Sequence, residues 1–336
     1  MLFFLACSSL PPFSSSSTTL SGINLNGTPL QLRIEEGTIT NLHDPIPGLD
    51  YEGTWIVPAF IDSHVHLAYY PVSQELLDGG VSAVIDLAAP VGFFMQDLQP
   101  LQRKSSGPMI TSTEGYPTQS WGSDGYGIEC EDEQSVEDNI IELHGMGAEL
   151  IKIPLTAPPT LTNSQLTRAV QTAKHLGVAT VTHAMTNTQV ARAAQSGVDI
   201  LAHTPTELLS ETSLSLWEDK TVISTLHAFG SAHAISNLSQ LYHREATILY
   251  GTDLGNTQDI GISISELLLL AQAGMSNIDI IASGTSTPAE FWGFTDLGYI
   301  REGYKASFLV LDADPHIDIT TLSRPIEVWI DGQKRE

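Results

Sequence analysis

Positive charge is scarce in this chain: Lys and Arg total 14 against 39 Asp and Glu, a formal net charge of −25 over 336 residues. A surface so charged repels phosphate backbones and anionic headgroups, which argues against nucleic acid and acidic membranes as partners. Cysteine is scarcer, with only Cys7 and Cys130, so no framework of disulfides is available to hold the fold. Long apolar runs are also missing; none reaches the ~18–20 residues of a spanning helix. What is present suits a globular protein with a sizeable core: 42% of residues are hydrophobic, and the length exceeds the ~250 residues typical of a (β/α)8 barrel.

The first residues, Met1 to Cys7 followed by a run of serines at 14–17, have the look of a bacterial lipoprotein signal with a flexible tether over residues 1–17. On that expectation Cys7 is lipidated, and the protein is periplasmic or on the outer membrane. Without it the expected place is the cytoplasm, and the lipid anchor would be the sole membrane contact. Composition leaves a homo-oligomer open.

Short strands and turns fill residues 18–56. Asn26-Gly27 makes a turn, and Leu30, Leu32 and Ile34 alternate with polar residues, as in a half-buried strand. The chain closes in the same style at Ser307–Leu311 and Ile326–Ile330, so both termini (18–56 and 294–336) are expected to build one small β-sandwich domain. Between them, residues 57–293 alternate strand and helix. Expected strands are Trp55–Ile61, Ala83–Leu87, Met109–Ser112, Leu150–Ile153, Ala179–His183, Ile200–His203, Val222–Leu226 and Ile248–Gly251. Eight strands separated by helices imply an α/β fold, a closed parallel (β/α)8 TIM barrel, with chemistry just past the strand ends.

The chemical residues sit at those ends. His64 and His66 follow the first strand; two residues apart in extended backbone, both imidazoles face one side and can share a cation. His183 ends the fifth strand, His203 the sixth, and Asp253 follows the eighth. Each alone is commoner as an ordinary polar loop residue or a helix cap. Lys152 stands in Leu150-Ile151-Lys152-Ile153, an apolar strand in a chain with little basic charge. Burial favours its neutral amine, which can take up carbon dioxide as a carbamate.

Together, the run Val57–His66, Lys152, His183, His203 and Asp253 resembles the amidohydrolase superfamily. Thr182–His203 and Ser286-Thr287-Pro288-Ala289 with Leu297–Ser307 are similar to its prolidase and imidazolonepropionase-like group. The resemblance implies a binuclear centre of two divalent ions, with zinc the expected metal. His64, His66 and Asp253 would hold one ion, and His183 and His203 the other. Lys152, as its carbamate, would bridge them together with a hydroxide. Asp253 would be the catalytic proton shuttle.

The implied activity is hydrolysis of an amide (C–N) bond in a small molecule or dipeptide. The alternatives are a lactone or ester hydrolase, a mononuclear imidazolonepropionase-like cyclic amidohydrolase, and a non-catalytic metal-binding scaffold. Deaminases of the superfamily carry Glu where this chain has Thr186, and Lys152 favours the prolidase-like branch. A dipeptidase also needs a cation for the free carboxylate, and no strand-end loop offers one. Tyr116 and Trp121 on the third loop, with Asp124 and Tyr126 beside them, and His227 and His233 on the seventh, are the expected substrate residues. If the aromatics line the pocket, the substrate is neutral or cationic with apolar bulk.

Overall fold

A computed structural model describes residues 17–43 and 53–336; Cys7 and the expected lipoprotein segment lie outside them. Strands β1 (Thr18–Ile23), β2 (Pro29–Glu35), β3 (Thr38–His43) and β4 (Trp55–Pro58) come first. Next are β5 (Phe60–Val65), β6 (Val81–Asp86) and β7 (Gln102–Ser105), then the pair β8 (Met109–Ser112) and β9 (Gly127–Cys130). A parallel series follows: β10 (Leu150–Pro154), β11 (Ala179–His183), β12 (Ile200–Leu201), β13 (Thr221–Ile223) and β14 (Thr247–Leu249). The chain ends with β15 (Phe308–Leu311), β16 (Glu327–Ile330) and β17 (Gln333–Lys334).

Both ends of the chain enter one seven-stranded sheet, in the order β17-β16-β15-β4-β1-β2-β3. Period-two alternation buries Leu30, Leu32 and Ile34 on one face of β2, where they pack with Ile39, Ile56, Phe308 and Trp329. The sheet bends back on itself: Thr38 bridges Lys305, and Ala306 N donates to Gly37 O.

The middle of the chain forms parallel sheets of three strands, β5-β6-β7, and five, β10 to β14 in order. Backbone bonds join their edges. Ser63 N donates to Tyr250 O (2.9 Å) just past β14, and Glu149 N donates to Ser105 O (3.1 Å) between β7 and β10. Inward residues Ile61, Ala83, Ile85, Leu150, Val181, Ile200, Ile223 and Leu249 form one buried cluster. Helices Glu133–Met146 and Asn163–Leu176 cover the outside and begin with capping boxes at Asp132 and Thr162, which satisfy first-turn amides.

Two expected strands differ. Trp55–Ile61 divides at Ala59: β4 pairs with β15 in the terminal sheet, while β5 pairs with β6. Pro58 lacks an amide hydrogen, so it suits the end of a ladder. The third strand of the parallel series is β7, not Met109–Ser112, which pairs separately with β9. Gln-Arg-Lys-Ser carries no hydrophobic signal. Its charged side chains are partly buried and stack on rings instead: the Arg103 guanidinium lies 4.5 Å from the Phe93 ring centre and Lys104 Nζ 5.6 Å from that of Phe294.

Candidate metal centre

Asp62, His64 and His66 share one parity along β5 and the turn after it, which aims all three to the same side. Asp62 is the support. Its carboxyl accepts from His64 N (3.0 Å), Thr252 N (3.1 Å) and Thr252 Oγ1 (2.5 Å), lashing the end of β5 to the end of β14. Burial pushes its pKa up to about 7 against those hydrogen bonds. Asp86 does the same for the next turn, accepting from Leu67 N (2.7 Å) and Ala88 N (3.2 Å).

His64 Nδ1 lies 2.9 Å from the Ala202 carbonyl. A carbonyl only accepts, so Nδ1 carries the hydrogen and Nε2 presents a lone pair. That lone pair faces His66 Nε2 at 3.3 Å and Asp253 Oδ1 at 3.2 Å; His66 Nε2 is also 3.2 Å from Asp253 Oδ1. A buried lone pair beside a carboxylate oxygen is repulsive without a cation between them. The spacing fits one: tetrahedral ligands at ~2.0–2.1 Å from zinc sit ~3.3 Å from one another. His66 Nδ1 is buried without a hydrogen-bond partner among the described residues. His64, His66 and Asp253 thus form a group whose ligand atoms all lie within 4.8 Å of one another.

Asp253 adopts φ 56°, a left-handed conformation that costs free energy in a non-glycine residue and clusters at functional sites. Its amide donates to His64 O at 2.9 Å, and Asn256 Nδ2 donates to its Oδ2 at 3.1 Å. Burial opposes its ionisation, but His64, His66 and Lys152 outweigh burial and hold the carboxyl well below the usual carboxylate range. Gly255 (φ +113°) follows; a Cβ there would meet the His66 Cβ at 2.9 Å, so the close approach requires glycine.

The other half of the site lies at the ends of β10, β11 and β12. Lys152 is 1% exposed and opens into the cavity. Burial brings its pKa down to about 7, against the pull of Asp253 and Asp86. His183 and His203 pack with ring centres 4.7 Å apart, and His203 lies 4.5 Å from His64. His203 Nδ1 pairs with Thr225 Oγ1 at 2.9 Å, which leaves Nε2 for the site. Burial, then neighbouring charge, lowers His183 to about 4 and holds His64 and His203 well below their ordinary value. All three imidazoles are therefore neutral at pH 7, the state a metal ligand needs.

These residues floor a cavity of about 310 Å³. Tyr116 and Trp121 line it as expected, joined by a Trp121 Nε1 to Tyr116 Oη hydrogen bond of 2.8 Å. Tyr126 packs behind Trp121, while Asp124 is exposed. His227 and His233 do not line it. The short helix Leu226–Phe229 turns Phe229 inward and leaves His227 half-exposed in an ion pair with Asp259 (3.2 Å); His233 is exposed on helix Ala232–Tyr242. Sequence reasoning missed Tyr69, Met109, Phe229 and Asn256 in the lining. It also missed Asp62, whose parity with His64 and His66 was a usable signal, and Thr225, which had none.

Neutral imidazoles, one ionised carboxylate and a buried amine gather at the ends of parallel strands, and three of these side chains, His64, His66 and Asp253, could hold a metal ion. The chain belongs to the amidohydrolase family, whose model matches residues 55–335. An 83-residue stretch is 32% identical to adenine deaminase of Deinococcus radiodurans, covering 22% of this chain and 14% of that protein. The chain thus spans far less than two thirds of that relative. Among solved structures, it is similar to a Xaa-Pro dipeptidase with bound methionine in its active site. The TM-score is 0.79 at 19% identity, covering 96% of this chain and 100% of that one. It is also similar to a putative prolidase from Bifidobacterium longum (TM-score 0.77, 21% identity, 96% and 95% covered).

Proposed function

We propose that this chain hydrolyses an amide bond of a small molecule at a two-metal site, in a (β/α)8 barrel flanked by a β-sandwich. Family membership supports amide hydrolysis. The edge-joining bonds of the three- and five-stranded sheets support the barrel, and the folded-back terminal sheet supports the sandwich. The domain reading keeps 18–56 with 294–336 for the β domain and 57–293 for the barrel, except that β4 carries the first boundary on to Pro58. The observation that carries the proposal is the group His64, His66 and Asp253, which brings two ring nitrogens and a carboxylate oxygen within 3.3 Å with a lone pair aimed at the carboxylate.

His64, His66 and Asp253 would hold one divalent ion, with zinc the best match to imidazole and carboxylate ligands. His183 and His203 would hold the second, and Lys152, as its carbamate, would bridge both. The neutral amine needed for carbamate formation is favoured by burial of Lys152. Bound metals would acidify a water and polarise the scissile carbonyl. Asp253 would accept the attacking water's proton and return it to the leaving nitrogen. Asn256, Asp62 and the His64 carbonyl hold that carboxylate in place, directly or through Thr252.

His183 and His203 stand outside the three-residue group, and this favours a second reading, a single-metal cyclic amidohydrolase. Deamination is less supported: Thr186 caps helix Asn187–Gln195 by accepting from Gln189 N, so that position brings no carboxylate to the site. Screening metal-loaded protein against amides, cyclic amides and lactones tests the activity. Metal bound at the expected residues with no turnover across that panel would leave only the scaffold reading.

A further inference from the structure

The cavity has aromatic walls and no spare cation. Tyr69, Tyr116, Trp121 and Phe229 line it, and aromatic faces flank both halves of the histidine cluster. Trp121 lies 5.7 Å from His66, and Phe229 lies 4.8 Å from His203, centre to centre. The polar groups are neutral donors such as the Tyr116 hydroxyl, or are already bound, as Asn256 is to Asp253.

Every Lys and Arg lies among the described residues, since residues 1–16 and 44–52 contain neither. Twelve of the 14 are engaged elsewhere in ion pairs, carbonyl bonds or ring stacking. Arg103 is held by the Phe93 and Phe94 carbonyls, Lys104 by Glu149, Arg192 by Asn163 and Thr160, and Arg244 by Glu211 and Glu218. Of the remaining two, Lys174 sits in the last turn of helix Asn163–Leu176, which leads into the start of β11. That is the end of the strands opposite the site. Only Lys152 reaches the cavity, on its floor among the histidines.

We infer that the site takes uncharged amides carrying a flat aromatic ring, and turns away amides whose leaving group is an α-amino acid. This rests on the hydrolase reading above. A carboxylate between the cavity walls would give up water against ring faces that are themselves electron-rich, with no guanidinium or ammonium to replace it, while any metal on the floor is committed to the scissile carbonyl. The net charge of −25 slows the approach of anions as well. Edge-to-face contacts from Trp121, Tyr69 and Phe229 suit a planar ring. In the reaction water adds to the carbonyl, the C–N bond breaks, and a carboxylic acid and a neutral arylamine or arylalkylamine leave.

The test is a matched pair, N-acetylphenethylamine and N-acetylphenylalanine, which differ only in the carboxylate. A second pair replaces the scissile nitrogen with carbon: 5-phenyl-2-pentanone and 2-benzyl-4-oxopentanoate, whose binding to the full chain is measured by calorimetry. The neutral amide should be hydrolysed with at least about 100-fold higher kcat/KM, and the neutral ketone should bind more tightly. Placing a cation at the mouth with Tyr69→Arg should shrink the preference by about tenfold or more. Equal or better handling of the carboxylate members, or binding of neither ketone, overturns the inference. Neutral-selective binding with no hydrolysis of either amide keeps the inference and defeats the hydrolase reading instead.

Discussion

At the scale of single residues, Asp253 separates chemistry from metal binding. Asp253→Asn keeps the shape and one oxygen ligand but removes the base. Turnover should fall by about 10²–10⁴ while substrate affinity changes far less. Steady-state kinetics on the best substrate of the amide screen decide it; near-normal kcat would place the base elsewhere. Lys152→Met makes a separate claim, that this side chain joins two metals. The variant should lose about one metal per chain and nearly all activity, with the fold kept by the volume-matched apolar side chain. The residues that gather at the site were findable because His64, His66, His183, His203 and Asp253 end or follow strands, while Lys152 stood out as a charge inside an apolar one. Thr225 was not, since its contact with His203 Nδ1 depends on φ 41° and a tertiary approach that no spacing encodes. His227 and His233 looked available for the same reason: a one-turn helix decides which side chain faces in.

Among the elements, the helix Leu226–Phe229 is too short to hold itself, and Glu266 anchors it. The buried carboxyl accepts from Leu226 N (3.0 Å) and His227 N (2.7 Å), which fixes Phe229 over the histidines. Burial pushes Glu266 up to about 7, against bonds from Ser224 and those two amides. Between its ordinary value of 4.5 and about 7 the unfolded chain has released a proton that the folded chain keeps. The stabilisation from neutral Glu266 is therefore full below 4.5 and is lost as pH rises through about 7. Glu266→Gln cannot ionise, so its melting temperature should fall less between pH 5 and 8 than that of the unsubstituted chain. Parallel curves would show that Glu266 does not titrate in that window. Strands β5, β6 and β10 to β14 were legible from short stretches rich in apolar and β-branched residues, such as Leu150–Ile153 and Ala179–Val181. Strand β7 was not, because Arg103 and Lys104, half-buried through ring stacking and hydrogen bonds of their charged ends, score as polar in hydropathy.

For the molecule as a whole, metal and fold should be coupled. A ligand that binds only the folded state adds about 2.7 kcal/mol at a hundred times its dissociation constant. Chelator-stripped protein should therefore melt several degrees lower, and added zinc should restore it. Unchanged melting would mean that the histidine cluster holds no metal tightly. A sheet shared by the early and late strands around an α/β body was readable from the β-rich stretches at 18–56 and 294–336, whereas the folded-back path of that sheet depends on pairings such as Thr38 with Lys305, far apart in sequence.

The central claim is a two-metal centre on six named side chains, and metal content tests it most directly. Full-length protein purified without chelator, with bicarbonate present, should carry about two divalent ions per chain by elemental analysis. His66→Ala and His203→Ala should each retain about one. A stoichiometry of one that bicarbonate and added metal leave unchanged, lost in His66→Ala and unaffected in His203→Ala, would contradict the two-metal centre and leave a mononuclear site at His64, His66 and Asp253.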